Sequence, residues 1–236
     1  MYDFFFVLFP RYLPSLLEGT VMTITLSILS MAASIACGLL VALGRMSRFR
    51  LVRMVLNAYV EVFRDIPLIV QLLVIYFSLP QFGISLPAFW AGVLGLTLNL
   101  SAYLSEVFRA AIMSIDKGQR EAGLSIGMSA YTIQTRIILP QALRIALPTM
   151  GGYFISLLKD CSLVSFIAVN ELLRKGTMII ATTFKSMEVY MMVAIIYFVL
   201  SFVASRIVIR IERKLTPKYL LEELRRGNGA AHAGGR

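Results

Sequence analysis

The stretch Gly118-Gln-Arg-Glu-Ala-Gly-Leu-Ser-Ile-Gly-Met-Ser129, followed a short distance later by Ile137-Ile-Leu-Pro140, is a polar interruption in an otherwise apolar chain. A segment this polar between membrane spans is stable only in water or against another protein. The loop at about 117–140 is therefore predicted to be a docking surface. The residues expected to form it are Gly118, Glu121, Ala122, Gly127 and Pro140.

The same loop has the features of two short helices joined by a turn. Glu121 lies near the start of the first short helix, where the helix dipole favours a carboxylate. Gly127 permits a tight turn between the two helices. Pro140 is expected to set the start of the next helix, because proline is well suited to the first helical turn.

The composition indicates an integral membrane protein. Of the 236 residues, 58% are hydrophobic and only 15% are charged, whereas soluble domains usually carry about 25% charged residues. Because one helical span needs about 20 apolar residues, the length allows about four to six spans and no sizeable soluble domain. We therefore predict one all-α transmembrane domain over residues 1–226, followed by a disordered tail over residues 227–236.

Five apolar segments are predicted to cross the membrane. Their approximate limits are residues 16–43, 52–79, 88–115, 140–158 and 187–211. The connections after the first, third and fifth segments are rich in Lys and Arg, which favour the cytoplasmic side. The N-terminus is therefore expected outside and the C-terminus inside. The first span is rich in Ser, Thr and Gly, which predicts close packing, and an aromatic segment before it (3–17) is expected at the interface.

A charged residue inside a span costs about 2.5 to 3.5 kcal/mol at a helix centre, so two pairs of charged residues in the predicted second and third spans need partners or water. Glu61 and Arg64 are three residues apart, and so are Glu106 and Arg109. This spacing allows each pair to form an ion pair on one helix face. A structural ion pair near the cytoplasmic side and a gate at the cytoplasmic mouth both fit this pattern.

Further motifs accompany the polar loop along almost the whole chain. They are Glu18-Gly-Thr-x-x-Thr23, Phe63-Arg-Asp-Ile-Pro-Leu-Ile-Val-Gln71, Ala102-Tyr-Leu-Ser-Glu-Val-Phe-Arg109 and Lys159-Asp-Cys-Ser-Leu163. Together with the glycines, Glu121, Ala122 and Ile138-Leu-Pro140 of the loop, they resemble the polar amino-acid permeases of ABC importers. Gly123 stands where this family commonly has alanine.

The resemblance implies a type I ABC importer permease fold in a bacterial inner membrane. It also implies a homodimer or a heterodimer with a paralogous permease, two ATPase subunits docked on the polar loop, and an extracytoplasmic solute-binding protein. ATP and Mg²⁺ would be bound by the partner ATPase, since this chain has no Gly-x-x-x-x-Gly-Lys-Ser/Thr phosphate loop. The chain itself is expected to be neither an enzyme nor a binder of metal, cofactor or nucleic acid.

Polar residues at the third and fourth spans are predicted to line the substrate pathway. They are Asn99, Ser101, Tyr103, Lys159, Asp160 and Ser162. A zwitterionic amino acid needs a cation for its carboxylate and acceptors for its ammonium, and the ends of broken helices supply both. Lys159 and Asp160 could equally cap the fourth span at the interface. The alternatives for the whole chain are a permease for an opine or ectoine, an ion-coupled secondary transporter, or a membrane scaffold.

Overall fold

The computed structural model describes residues 9–215, and the tail predicted over residues 227–236 lies outside this range. The described part is helical and contains no strand. Its α-helices are α1 (Phe9–Arg45), α2 (Arg50–Asp65), α3 (Leu68–Leu73), α4 (Ala88–Met113), α5 (Lys117–Ser125), α6 (Ala130–Ile133), α7 (Leu139–Asp160), α8 (Leu172–Thr183) and α9 (Ser186–Leu215). Short π-helical segments (Val74–Ser78 and Gln134–Ile138) and 3-10 segments (Leu79–Phe82 and Cys161–Ile167) extend α3, α6 and α7.

Four helical segments of the described chain are long and apolar enough to cross a membrane: Pro10–Arg45, Ala88–Met113, Ala130–Ile167 and Ser186–Lys214. A fifth crossing results if α2 and the segment Leu68–Phe82, which meet at an angle of 107°, form one span. The prediction of an all-α membrane protein with about five spans is confirmed. The second span is broken, however, whereas the sequence predicted one helix over residues 52–79.

The first span is longer than predicted. α1 begins at Phe9 and runs through Pro14 without a break, so part of the segment expected at the interface belongs to the helix. A proline lacks the N–H that would bond the carbonyl four residues earlier, and its ring crowds that carbonyl. For Pro14 the affected carbonyl belongs to Pro10, in the first turn of α1, where the helix has little preceding structure to distort.

The central contact of the fold joins α1 to α4. Four hydroxyl side chains on α1 are completely buried: Ser34, which donates to the carbonyl of Thr97 on α4, Ser30, and Thr23 and Ser27, which meet Leu172 and Cys161. Their spacing of three or four residues places them on one helix face. At Gly38, on the same face, a Cβ atom would lie 3.0 Å from Cβ of Leu104 and 3.1 Å from the carbonyl oxygen of Ser101. Small side chains thus allow the two backbones to approach closely, as the composition of the span predicts.

Each π-helical segment ends two residues before a proline. Val74–Ser78 precedes Pro80, and Gln134–Ile138 precedes Pro140. The wider turn of a π-helix accommodates a proline that cannot bond the carbonyl one turn earlier. Pro140 lies in the first turn of α7 as predicted, but α7 continues the helical path from Ala130 without a loop.

A smaller core joins the N-terminal half of α1 to α8 and α9. Its completely buried carboxylate, Glu171, caps α8 by accepting the N–H groups of Leu173 (2.9 Å) and Arg174 (2.7 Å). The hydroxyl of Tyr197 on α9 donates to the same carboxylate at 2.7 Å. Burial raises the pKa of Glu171, and these hydrogen bonds oppose the rise. Glu171 therefore links the start of α8 to α9. No pattern of neighbouring residues in the sequence predicts this link.

Candidate functional site

The polar loop folds into the predicted pair of short helices, α5 and α6, joined at Gly127. The N–H of Gly127 donates to the carbonyl of Leu124, and the N–H of Met128 donates to the carbonyl of Gly123, both at 3.0 Å. This is the Schellman arrangement at a helix C-terminus, which requires a left-handed residue. Gly127 has a φ of +78°, so glycine is the residue that adopts this turn at least cost.

Side chains cap the N-terminus of each short helix. The carboxylate of Asp116 accepts the N–H of Gly118 at 2.7 Å and caps α5. The hydroxyl of Ser129 accepts the N–H of Thr132 at 3.2 Å and caps α6. Gly118 thus belongs to the N-terminal cap of α5. The whole helix pair is a locally stabilised unit with defined ends.

The outer surface of this helix pair is exposed and partly apolar. Glu121 and Ala122 are exposed, and Leu124, Ile126 and Tyr131 are exposed beside them. On the inner surface α5 contacts α6 at Gly123, which is buried. A Cβ atom at Gly123 would lie 2.8 Å from Cγ1 of Ile133. Gly123 therefore packs α5 directly against an α6 side chain. We call the exposed surface formed by Glu121, Ala122, Leu124, Ile126 and Tyr131 the loop surface.

The bend between α2 and α3 is stabilised by side-chain amides. The carbonyl of Phe63 accepts Nδ2 of Asn99 at 2.8 Å and Nε2 of Gln71 at 3.0 Å. Nε2 of Gln71 also donates to the carbonyl of Ile66 at 2.7 Å. The last carbonyls of a helix have no partner within it, and at the bend they are satisfied by residues of α3 and α4.

Tyr103 completes this arrangement from α4. Its hydroxyl donates to the carbonyl of Arg64 at 3.2 Å, and the Arg64 guanidinium lies 5.4 Å from the centre of the Tyr103 ring. Asn99 and Tyr103, predicted as substrate-pathway residues, therefore also hold the end of α2 in place. Gln71 also holds the end of α2 in place. The only sequence signal for this role is its position at the end of the motif over residues 63–71.

A cavity of about 340 Å³ opens beside the bend. Its polar lining residues are Arg64, Asp65, Asn99, Tyr103, Tyr153, Ser156 and Asp160, and its apolar wall includes Leu96, Leu100 and Leu157. The cavity thus presents one guanidinium and two carboxylates to the same small volume. Of the predicted pathway residues, Asn99, Tyr103 and Asp160 line it.

The other three predicted pathway residues do not line this cavity. Ser101 is completely buried in the helix contact, where its hydroxyl lies 2.6 Å from that of Tyr59. Lys159 is exposed at the end of α7, and Ser162 lies in the following 3-10 segment. Ser101 and Asn99 are two residues apart, which turns their side chains by about 200° around a helix, so only one of them can face the cavity.

Two of the predicted span arginines, Arg64 and Arg109, lie in a cluster around Glu106. The predicted pair with Arg109 is present, with Oε2 of Glu106 2.7 Å from Nη2 of Arg109. The predicted pair between Glu61 and Arg64 is wrong: Nη1 of Arg64 lies 3.7 Å from Oε1 of Glu106. Within residues 9–215, Glu61 is exposed and forms no ion pair. Arg64 turns from its own helix toward α4, where the ring of Tyr103 supports it.

Arg45 is a member of this cluster that the sequence reading missed. Its Nη2 lies 2.8 Å from Oε1 of Glu106, and its Nε donates to Oδ1 of Asn57 at 2.7 Å. The sequence placed Arg45 in a basic loop at the end of the first span. The nearness of Glu106 depends on the packing of α1 against α4, for which the sequence offers no local signal.

The membrane-spanning helices, the polar cavity at a broken helix and the exposed helix pair together fit a membrane transport subunit. Within that class, the chain belongs to the family of binding-protein-dependent transport system inner membrane components, whose model matches residues 34–217.

Named relatives of similar length support this membership. The L-cystine transport system permease protein TcyB of Bacillus subtilis (strain 168) is 42% identical over 203 residues, covering 86% of this chain and 87% of that protein. The glutamine transport system permease protein GlnP of Escherichia coli (strain K12) is 38% identical over 205 residues, covering 86% and 94%.

Solved structures agree with these relatives. A crystal structure of an amino acid ABC transporter with histidines matches with a TM-score of 0.82 and 39% identity, covering 89% of this chain and 98% of that one. The methionine ABC transporter MetNI, in an inward-facing conformation, matches with a TM-score of 0.68 and 21% identity, covering 87% and 96%, and supports the fold alone. The predicted permease fold and multi-pass inner-membrane location are therefore confirmed, and the two relatives are transport system permease proteins.

Proposed function

We propose that this chain is the permease subunit of an ATP-driven amino-acid importer, and that the cavity beside the α2–α3 bend binds the amino acid. The observation on which this rests is the placement of Arg64 and Asp160 on the same cavity of about 340 Å³. This volume lies near the lower end of the range for small-molecule sites, which is about 300 to 1,000 Å³. It suits a single small solute.

The charges of the cavity match those of a zwitterion. The guanidinium of Arg64 can bind a carboxylate through two parallel hydrogen bonds. Asp160, on α7, offers acceptor oxygens for an ammonium group. Asn99 has its Nδ2 engaged by the carbonyl of Phe63, so its amide oxygen is the group that it can present to a ligand. The amino-acid substrates named for the relatives, L-cystine and glutamine, support this substrate class.

The loop surface on α5 and α6 is the proposed contact with the ATPase subunit, which would bind ATP and Mg²⁺. Its exposed apolar side chains lie on the same capped helix pair as Glu121, and exposed apolar side chains are typical of a docking surface. With the N-terminus outside and the C-terminus inside, this surface faces the cytoplasm. The chain would form half of a translocation pathway with a second permease copy or paralogue, and a solute-binding protein would deliver the amino acid to the outer face.

Uptake by variants of the cavity tests this proposal. The permease is assembled with its ATPase subunits and solute-binding protein in proteoliposomes, and uptake of L-glutamine, L-histidine and L-cystine is measured, with glucose as an unrelated solute. We expect Asp160→Asn and Arg64→Ala to lower amino-acid uptake by about 10- to 100-fold, because a hydrogen bond to a charged group contributes about 1.5 to 3 kcal/mol.

Glu61→Gln is the matched control, because Glu61 is an exposed carboxylate on the helix that carries Arg64 and does not line the cavity. It should keep uptake near the wild-type rate. Wild-type uptake by Asp160→Asn would contradict the assignment of the cavity. Uptake of glucose in place of all three amino acids would contradict the substrate class.

A further inference from the structure

Glu106 lies about one turn along α4 from Tyr103, which lines the proposed substrate cavity, and its position near Arg64 assigns it a role. We propose that Glu106 is a positioning residue: it holds the Arg64 guanidinium beside the empty cavity and releases it to the carboxylate of an incoming amino acid. This inference rests on the proposed function of the cavity. In this mechanism the carboxylate of Glu106 and the carboxylate of the substrate compete for the guanidinium of Arg64.

Glu106 has more cationic partners than one carboxylate needs. Its Oε1 lies 2.8 Å from Nη2 of Arg45 and 3.7 Å from Nη1 of Arg64. Its Oε2 accepts both Nε (3.1 Å) and Nη2 (2.7 Å) of Arg109. Three guanidinium groups from α1, α2 and α4 therefore surround one carboxylate. If Arg64 leaves, Glu106 keeps two close charged partners and no buried charge is left unpaired.

The three arginines are held with unequal strength. The side chain of Arg45 is 11% exposed and also donates to Asn57 and Ser105. The side chain of Arg109 is 37% exposed and makes two hydrogen bonds to Glu106. Arg64 is the most exposed, at 42%, and its separation of 3.7 Å from Glu106 exceeds ordinary hydrogen-bond length. Arg64 is the member of the cluster that can be exchanged.

Arg64 also occupies the position that an exchange requires. It lines the cavity together with Asp160, and its guanidinium lies 5.4 Å from the ring centre of Tyr103, which also lines the cavity. An amino acid bound there through its carboxylate would form the bidentate contact that Glu106 does not form with Arg64. The substrate would thereby loosen a link between α2 and α4, so binding of a carboxylate would be coupled to helix contacts outside the cavity.

The competition predicts an unusual effect of neutralising Glu106. In the assembled permease–ATPase complex, Glu106→Gln should bind an amino acid about two- to fivefold more tightly than the wild type, because a partly exposed ion pair no longer competes for Arg64. The matching amino-acid amide, which has no carboxylate, should bind both proteins equally. The probes are L-glutamine with L-glutaminamide and L-histidine with L-histidinamide, measured by isothermal titration calorimetry.

Two further variants separate this mechanism from a general structural or electrostatic effect. In an Arg64→Ala background, Glu106→Gln should no longer change amino-acid affinity. Arg109→Gln should have the opposite effect, weakening amino-acid binding about two- to fivefold, because Glu106 then holds Arg64 more firmly. Arg109→Gln also provides the test if Glu106→Gln does not assemble.

The outcomes distinguish the two proposals. Equal changes for amino acid and amide, or an effect of Glu106→Gln that persists without Arg64, would overturn the positioning role and leave the substrate cavity standing. Failure of the wild-type complex to bind either amino acid would overturn the cavity assignment and the inference with it. Tighter binding of the amino acid alone, lost in the Arg64→Ala background, would support both.

Discussion

The turn at Gly127 offers the most direct test of how the loop surface is held. Its φ of +78° is in the left-handed region, and no heavy atom lies within 4 Å of the position a Cβ would occupy. A side chain at this position therefore meets open space, and its cost comes from the backbone conformation alone. We expect about 1 to 2 kcal/mol for Gly127→Ala and more for the β-branched Gly127→Val. Gly127→Asn should cost less, because asparagine tolerates this conformation.

The strain at Gly127 should lower the affinity of the permease for the ATPase. With a side chain at Gly127, the turn either stays closed under strain or opens. An open turn moves α5 away from α6, so the residues of the loop surface no longer lie side by side. If docking requires the closed turn, a cost of about 1 to 2 kcal/mol lowers the apparent affinity by about 5- to 30-fold. Titration of the purified permease in nanodiscs with its ATPase subunits measures this affinity. The expected order is Gly, Asn, Ala and Val, from strongest to weakest.

Gly83 provides a matched control within the same chain. It has a φ of +81° and no heavy atom within 4 Å of a would-be Cβ. Its hydrogen bonds follow the same pattern as those of Gly127, since Gly83 N–H donates to Pro80 and Ile84 N–H donates to Leu79. Gly83→Val should therefore be strained to the same extent but leave ATPase affinity unchanged. Equal losses from Gly83→Val and Gly127→Val, or full affinity in Gly127→Val, would refute a docking role for the loop.

Two stability predictions concern the helix contacts. Gly38→Val should lower the thermal stability of the permease in detergent, because its Cβ would lie 3.1 Å from a backbone oxygen. The expected cost of overpacking is about 1 to 3 kcal/mol. Gly152→Val is the control, because its Cβ would meet no heavy atom within 4 Å. Gln71→Leu should cost about 1 to 3 kcal/mol by removing the donor to the Ile66 carbonyl, whereas the exposed Gln81→Leu should be neutral. Unchanged melting temperatures for Gly38→Val or Gln71→Leu would show that the corresponding contact contributes little.

Features encoded by local sequence were predicted well. The apolar segments predict the helical spans, and the position of Gly127 between two short amphipathic stretches predicts a turn. In each case the signal resides in a few adjacent residues, because helix formation and turn geometry depend on neighbouring backbone conformations. The break in the second span has a local cause as well, since Pro67 disfavours helical conformation at Ile66. The sequence reading treated that proline as compatible with one helix.

The pairing of the intramembrane charges could not be derived in this way. A spacing of three residues shows that Glu61 can reach Arg64, but the choice of partner depends on which helix approaches. Arg64 meets Glu106 because α2 crosses α4 at that level, with Tyr103 bonded to the end of α2. The same limit applies to Asn99 and Ser101, which are equally polar but occupy opposite sides of α4. Tertiary packing alone decides which of them reaches the cavity.

The side-chain bonds at the end of α2 also restrict where movement can occur. Gln71, Asn99 and Tyr103 donate hydrogen bonds to three backbone carbonyls at the bend, those of Phe63, Arg64 and Ile66. Separating α2 from α4 would remove the donors of Asn99 and Tyr103 from these carbonyls, at a cost of about 1 to 3 kcal/mol for each carbonyl that is left buried without a partner. We therefore expect the bonded parts of α2, α3 and α4 to move together during a transport cycle.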